Sequence, residues 1–241
     1  MQPNYRQLDP RRIVETVSGL QSRIEERFPG SGLASVVADL RGVADETVAR
    51  IAWIQKPNLP LRIGVGLMAA AIVLVSVSFV LGYRQSGNAD FALLIQEVSA
   101  SLSSLVYFGA AILFLTTWET RIKRARALKA IHELRSLAHI IDMHQLTKDP
   151  ELAFRGDADA TTKRALTPFA LSRYLDYCSE ALSLTGKIAA LYLQGFQDPV
   201  VLDAVDDVEN LTTGLSGKIW QKISVLDLMQ RSGNALRTMS G

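Results

Sequence analysis

Two long apolar runs divide the chain into segments of different chemical character. Residues 61–83 and 99–118 contain no acidic side chain, and Arg62 is the only basic residue in either run. Each run is about long enough to cross a hydrocarbon layer of about 30 Å as a helix. The pattern predicts transmembrane helices over 61–83 and 99–119, joined by a short extracytoplasmic connector over 84–98. The apolar residues Phe91, Leu94, Ile95 and Val98 suit either a short interfacial helix or an outward extension of the second span.

Basic residues beside these runs predict that both termini face the cytoplasm. The segment RIKRARALK follows the second run and contains Arg121, Lys123, Arg124, Arg126 and Lys129. Short flanking segments rich in Lys and Arg stay on the cytoplasmic side, and they also attract lipid headgroups. We therefore expect a multi-pass protein of the plasma membrane, which in bacteria is the inner membrane. Nucleic-acid binding is the alternative explanation of this basic segment, and we favour topology over it.

Apolar residues at steps of three and four predict a cytoplasmic helical hairpin within residues 1–56. The first helix is expected over about 10–28 and the second over about 33–54, with Pro29-Gly30 between them. The first apolar stripe consists of Ile13, Val17, Leu20, Ile24 and Phe28. The second consists of Leu33, Val36, Leu40, Val43, Thr47, Ile51 and Ile54. Two such helices joined by a short turn are expected to pack antiparallel.

Helix starts are marked by four prolines, each of which follows a residue with a capping side chain. The pairs are Asp9-Pro10, Asp149-Pro150, Thr167-Pro168 and Asp198-Pro199. A side-chain oxygen at the N-cap accepts from an unpaired N–H, and Pro suits the first helical position. Between Gly109 and Pro150 there is neither Gly nor Pro. We therefore expect the second span to continue as a cytoplasmic stalk helix over 120–147, before a polar connector over 148–167.

A pair of cytoplasmic helices over 168–231 is predicted to complete a bundle with the stalk, followed by a flexible tail over 232–241. The first helix of the pair carries a seam of coiled-coil type, with steps of four and three residues. The seam consists of Leu171, Leu175, Cys178, Leu182, Thr185, Ala189, Tyr192 and Phe196. It needs a partner helix, which belongs either to the same bundle or to another copy. The fold class predicted is thus an all-α membrane protein, in which a transmembrane hairpin carries a cytoplasmic N-terminal hairpin and a C-terminal bundle on a continuous stalk.

Composition excludes some kinds of chemistry but does not identify a function. With 48% hydrophobic residues and a formal net charge of +2, the chain is not strongly basic, which disfavours a nucleic-acid partner. The single cysteine, Cys178, has no partner for a disulfide and is expected to be a core residue. No GxxxxGK[ST], GxGxxG or GxSxG motif occurs, so we predict no cofactor.

All three histidines lie in the segment HELRSLAHIIDMH, which is the segment most open to a chemical interpretation. On a helix, His132 and His139 lie on the same side, two turns apart, and Arg135 and Asp142 lie close beside them. We favour a buried polar network of these four residues between helices. A metal site with His132, His139 and Asp142 as ligands is an alternative, although residues seven apart lie about 10 Å apart along a helix. Sensing of pH by the imidazoles is another.

These patterns predict a protein that positions other proteins and carries out no catalysis of its own. We expect a membrane-anchored scaffold or accessory subunit, whose partners are the lipid bilayer and either further copies of the chain or other membrane-protein subunits. Two alternatives remain open on the sequence alone. One is an oligomeric pore gated by the cytoplasmic bundle, and the other is a metal-dependent or pH-sensing activity at the histidine segment.

Overall fold

The chain folds into helices throughout the part that the structure describes. The structure is a computed structural model that describes residues 7–56, 59–85, 91–148, 150 and 166–239. In these residues the long elements are α1 (Pro10–Arg27), α2 (Gly32–Gln55), α3 (Leu59–Gln85), α4 (Phe91–Leu146), α5 (Pro168–Gly195) and α6 (Pro199–Met239). The all-helical class expected from the sequence is confirmed.

The helices form two compact units. Unit 1 consists of Met1–Gln55 and Arg126–Gly241, and unit 2 consists of Lys56–Ala125. Helix α4 is continuous from Phe91 to Leu146, so its first part belongs to unit 2 and its last part to unit 1. Unit 1 is therefore assembled from both ends of the chain.

Three of the four predicted helix starts have the expected cap. Each cap oxygen accepts a hydrogen bond from an N–H of the first turn: Asp9 from Arg11 at 2.9 Å, Thr167 from Ala170 at 3.2 Å, and Asp198 from Val200 at 3.1 Å. A proline follows each of these caps, where its missing N–H leaves no donor unpaired. The fourth predicted cap, Asp149, lies outside the described residues.

The apolar stripes predicted for the first two helices face the core of unit 1. The side chains of Ile13, Val17, Leu20 and Ile24 are buried, and Phe28 is partly buried against them. In α2 the predicted stripe is likewise buried, with Val43 partly so. The turn between the two helices contains Gly30 at a φ of 67°, a conformation that side chains with a Cβ rarely adopt. The predicted helical hairpin is thus present.

Helix α5 contributes a large part of the core of unit 1, and one side of it, with Arg173, Ser183 and Lys187, is exposed. It packs most extensively on α6 and also contacts both α1 and α2. Its buried residues are Leu171, Tyr174, Leu175, Tyr177, Cys178, Ala181, Leu182, Leu184, Thr185, Gly186, Ile188, Ala189, Leu191 and Tyr192. At about 100° per residue these positions span more than half of the helix circumference, so one neighbouring helix is not enough to cover them. The N-terminal hairpin and the C-terminal helices therefore share one core.

Two predicted boundaries differ from the structure. Residues 91–98, expected to be part of a connector, already belong to α4. Helix α6 continues to Met239, through most of the tail that was expected to be flexible over 232–241. A lone glycine such as Gly233 costs a helix about 1 kcal/mol, which is not enough to end it. Residues 86–90 and most of the polar connector over 148–167 lie outside the described residues.

In unit 2, residues 61–83 lie within α3 and residues 99–118 within α4. Many of the large apolar side chains described there are exposed, in contrast to those of unit 1. Among the residues that the structure describes, no helix is both long and apolar enough to cross a membrane.

A close approach between α2 and α4 depends on Gly32. A Cβ on Gly32 would lie 2.8 Å from Nδ1 and 2.9 Å from Nε2 of His144, which is closer than real Cβ contacts. Gly42, farther along α2, has nothing within 4 Å of the corresponding position. The two glycines of one helix therefore stand in opposite environments.

We expect Gly32→Ala to lower the free energy of unfolding by about 0.5–1.5 kcal/mol because the new methyl group displaces the partly exposed His144 ring from its rotamer. The matched control, Gly42→Ala, should raise it by up to about 1 kcal/mol because it removes a flexible residue from a helix. His144→Ala should recover most of the loss when it is combined with Gly32→Ala. Denaturant unfolding followed by circular dichroism measures all three. Equal effects of the two glycine substitutions would contradict the close packing.

Candidate functional site

A buried tyrosine of α5 forms a polar network with α2 that the sequence did not reveal. The Tyr192 side chain is almost fully buried, and its hydroxyl lies 3.1 Å from Oγ1 of Thr47, which is fully buried. The Thr47 hydroxyl donates to the carbonyl of Val43 at 2.7 Å. Since a hydroxyl has one proton, the Tyr192 O–H donates to Thr47. The Tyr192 oxygen is left to accept a hydrogen bond from Arg50.

Arg50 connects the buried hydrogen bonds of Thr47 and Tyr192 to α4. Its Nη1 donates to Oε2 of Glu133 at 2.9 Å, and its Nη2 donates to Oε2 of Glu46 at 2.6 Å. Burial works to lower the pKa of Arg50, but the hydrogen bonds to Glu133 and Tyr192 outweigh it and raise the pKa. Burial also raises the pKa of Tyr192, against the opposing effects of Thr47 and Arg50. Arg50 is therefore a cation that holds α2, α4 and α5 together.

A groove with a volume of about 400 Å³ lies beside Arg50. It is lined by Ala49, Arg50, Trp53, Ile54, Arg126 and Lys129. The guanidinium carbon of Arg126 lies 3.9 Å from the centroid of the Trp53 ring, a cation–π contact. The Arg126 and Lys129 side chains are exposed, and among the described residues no acidic side chain forms an ion pair with either. The groove therefore combines an apolar wall with two cations whose charge is not offset.

The five basic residues predicted to meet lipid headgroups do not share one environment. Arg126 and Lys129 line the groove in unit 1. In unit 2, Arg121 is exposed, and Lys123 pairs with Glu119 at 2.7 Å and donates to the Lys56 carbonyl at 3.2 Å. Arg124, also in unit 2, is partly buried. The groove thus contains two of the five.

The histidine strip lies at the surface of unit 1. His132, Arg135 and His139 are exposed, and Arg135 pairs with Asp207 at 3.5 Å. Asp142 is partly buried and accepts a hydrogen bond from Gln145 at 2.5 Å. The expectation that these four residues form a buried network is therefore corrected. The reason is that the adjacent stripe of Leu134, Ala138 and Ile141 faces the core instead.

The described residues also bear on the metal alternative. Nowhere in them do three or more His, Cys, Asp or Glu side chains come together in a group that could hold a metal ion. His132, His139 and Asp142 form no such group in the described part of the chain.

The seam of α5 is used within the chain. All of its residues from Leu171 to Tyr192 are buried, and Phe196 is partly buried against the same core. Cys178 is among them, and its burial raises the pKa of the thiol to about 12, although Lys222 and Lys148 act in the opposite direction. A thiol that stays protonated is a weak nucleophile. Cys178 is thus a core residue in this structure.

Comparison with known protein families, with curated proteins and with solved structures finds no match to this chain. The fold and the site define an all-helical protein with a groove lined by Trp53, Arg126 and Lys129. The Thr47–Tyr192 contact did have a signal in the sequence. Both residues occupy apolar stripes, where a hydroxyl needs a buried partner.

We expect Tyr192→Phe to lower the free energy of unfolding by about 1–2 kcal/mol because the buried oxygen of Thr47 loses its donor. The bond of Thr47 to the Val43 carbonyl and the pairs of Arg50 with Glu46 and Glu133 remain. Tyr177→Phe is the matched control on the same helix, since the ring contacts of Tyr177 with Phe28 and Arg23 persist without its hydroxyl. In a Thr47→Val background the cost of Tyr192→Phe should be smaller. Denaturant titrations of the four variants measure this coupling, and additive costs would argue against the network.

Stability should fall as the pH rises above about 9. The ordinary thiol pKa is 9.0 and that of folded Cys178 is about 12, so over this interval only the unfolded chain loses the proton. The free energy of unfolding therefore decreases with pH, and Cys178→Ala should make the decrease less steep between pH 9 and 10. Above pH 10 Tyr174 and Tyr192 act in the same direction because burial raises their pKa. Identical slopes for the two proteins would contradict burial of the thiol.

Proposed function

We propose that the protein is a membrane-anchored helical scaffold or accessory subunit. Unit 2 is the anchor, and unit 1 assembles with further copies of the chain or with other membrane-protein subunits. The observation that carries the proposal is the exposure of large apolar side chains in unit 2. They are Ile63, Leu67, Val73, Leu74, Val75, Val77 and Leu81 in α3, and Leu102, Val106, Tyr107, Leu113, Phe114 and Trp118 in α4.

An exposed apolar surface of this size is expected to be covered by lipid or by another protein. Soluble monomers rarely expose contiguous apolar patches beyond a few hundred Å². Full crossing of a membrane is proposed from the amino-acid sequence. There, residues 61–83 and 99–118 are uncharged except for Arg62. The basic residues beside them support a plasma-membrane location with both termini in the cytoplasm.

Assembly is proposed to use the outer face of α6, because the α5 seam is already buried within the chain. Large apolar side chains of α6 remain exposed, namely Val200, Leu202, Trp220, Val225 and Leu228. At about 100° per residue, Leu202 and Trp220 fall on the same bearing, with Leu228 less than a quarter turn away. Trp220 and Leu228, about two turns apart, offer an apolar contact for helix-on-helix docking, whereas Asp206, Glu209 and Thr213 on the same side nearer Leu202 are polar.

A pair of matched substitutions tests anchoring and assembly separately. Leu74 of unit 2 is 67% exposed and Leu228 of α6 is 65% exposed, so Lys at each position adds one charge at a similar accessibility. Leu74→Lys should reduce retention in alkali-washed membranes because a charge in the bilayer centre costs about 2.5–3.5 kcal/mol on insertion scales. Leu228→Lys should keep retention and weaken assembly.

Native mass spectrometry of the full chain in lipid nanodiscs measures assembly. A homo-oligomer gives a multiple of 26.4 kDa, and an accessory subunit brings foreign chains with it. Release of the unsubstituted protein by alkali would contradict the anchor. A lone mass of 26.4 kDa would contradict the scaffold.

A further inference from the structure

We propose that the groove lined by Trp53, Arg126 and Lys129 binds the phosphate of an anionic phospholipid headgroup. This inference rests on the proposed membrane anchoring and adds a defined site and a lipid class to it. The ligand chemistry is a phosphate diester joined to an apolar glycerolipid. The following observations concern unit 1 alone.

The cations of the groove are arranged to meet an anion. Arg126 and Lys129 lie three residues apart on α4, and side chains at this spacing are neighbours on one face of a helix. Arg50, the third cation of the groove, is already paired with Glu46 and Glu133. The charge available to a ligand is therefore that of Arg126 and Lys129.

The stacking of Arg126 prepares it for phosphate. Its guanidinium is in contact with the Trp53 ring at 3.9 Å from carbon to centroid. A guanidinium can stack on an aromatic face and still present its planar fork of N–H donors to phosphate oxygens. Trp53 thus restricts the motion of Arg126 while leaving donors for a ligand.

The remaining lining suits the apolar part of a lipid. Trp53, Ile54 and Ala49 supply apolar surface in the same groove as the cations. A volume of about 400 Å³ lies in the range of small-molecule sites, about 300–1,000 Å³. An isolated phosphate ion would leave the apolar lining of the groove exposed to water, whereas the apolar part of a glycerolipid would cover it.

The position of the groove along the chain also favours a lipid. Trp53 precedes by three residues the start of unit 2 at Lys56, and Arg126 directly follows its end at Ala125. When unit 2 is embedded in the bilayer, residues directly before and after it in the sequence must lie near the lipid headgroups. Tryptophan and basic residues are enriched at that depth.

Trp53 fluorescence provides a direct readout of binding. The chain has three tryptophans, so Trp118→Phe with Trp220→Phe leaves Trp53 alone. This full-length protein is titrated in detergent with short-chain phosphatidylglycerol or with phosphatidylcholine. We expect a saturable change in Trp53 emission with phosphatidylglycerol at concentrations where phosphatidylcholine has little effect.

Charge variants of equal size locate the site. Arg126→Gln with Lys129→Gln should weaken phosphatidylglycerol binding about thirtyfold, since each basic residue contributes about 1 kcal/mol near an anionic lipid. The control is Arg135→Gln with Lys187→Gln, which removes the same charge from exposed positions of unit 1. Position 135 lies on the opposite side of α4 from position 126, at about 100° per residue. The control should bind as the parent does.

Three results would overturn the inference. They are equal responses to the two lipids, equal losses in both charge variants, or saturation by inorganic phosphate that prevents any response to phosphatidylglycerol. The last would identify a soluble phosphate as the ligand. Retention in alkali-washed membranes separates this test from the proposed function. Arg126→Gln with Lys129→Gln should remain in the membrane, whereas failure of the anchor would release the parent protein as well.

Discussion

The need to cover the broad buried surface of α5 governs the architecture of unit 1. Fourteen of its residues are buried and span more than half of the helix circumference at about 100° per residue, while one polar side, with Arg173, Ser183 and Lys187, is exposed. No single neighbour can cover such a surface, because a helix in contact hides only one face. Helix α6 covers one side, and α1 and α2 cover others. The two ends of the chain are therefore held in one core, although residues 56–125 separate them in sequence.

Hydroxyl groups inside this core determine which faces of α2 and α5 pack against each other. The Tyr192–Thr47 contact is buried, so its loss leaves polar atoms without water to replace the partner. Arg50 extends the contact to Glu133 and so fixes α4 against α2. Residues of both helices line the groove beside Arg50. The same interactions that stabilise the core thus place Trp53 opposite Arg126.

Local patterns of the sequence predicted more of the fold than of the site. Caps at Asp9 and Thr167 and the stripes of α1 and α2 depend on neighbouring residues, and the structure has them. Periodicity identifies which face of a helix is buried, but it does not identify the partner. For this reason the α5 seam left open a choice between bundle and oligomer. The histidine strip shows the same limit, because a polar row beside an apolar seam can lie on the surface.

The groove was only partly foreseeable. Arg126 and Lys129 belong to a basic segment that predicts headgroup contact, and Trp53 precedes the first apolar run. Their meeting depends on how α2 packs alongside α4, which also brings Gly32 close to His144. Contacts between residues more than seventy positions apart, such as Trp53 and Arg126, leave no mark in local sequence.

We propose that unit 2 lies in lipid while unit 1 lies in water. Spin labels at single cysteines test it most directly, placed at Leu74 and at the exposed His139 in a Cys178→Ala chain reconstituted into vesicles. A label at position 74 should relax strongly with oxygen, which concentrates in lipid, and weakly with a water-soluble nickel chelate. The label at position 139 should show the reverse. Strong relaxation by the nickel chelate at both positions would contradict the account.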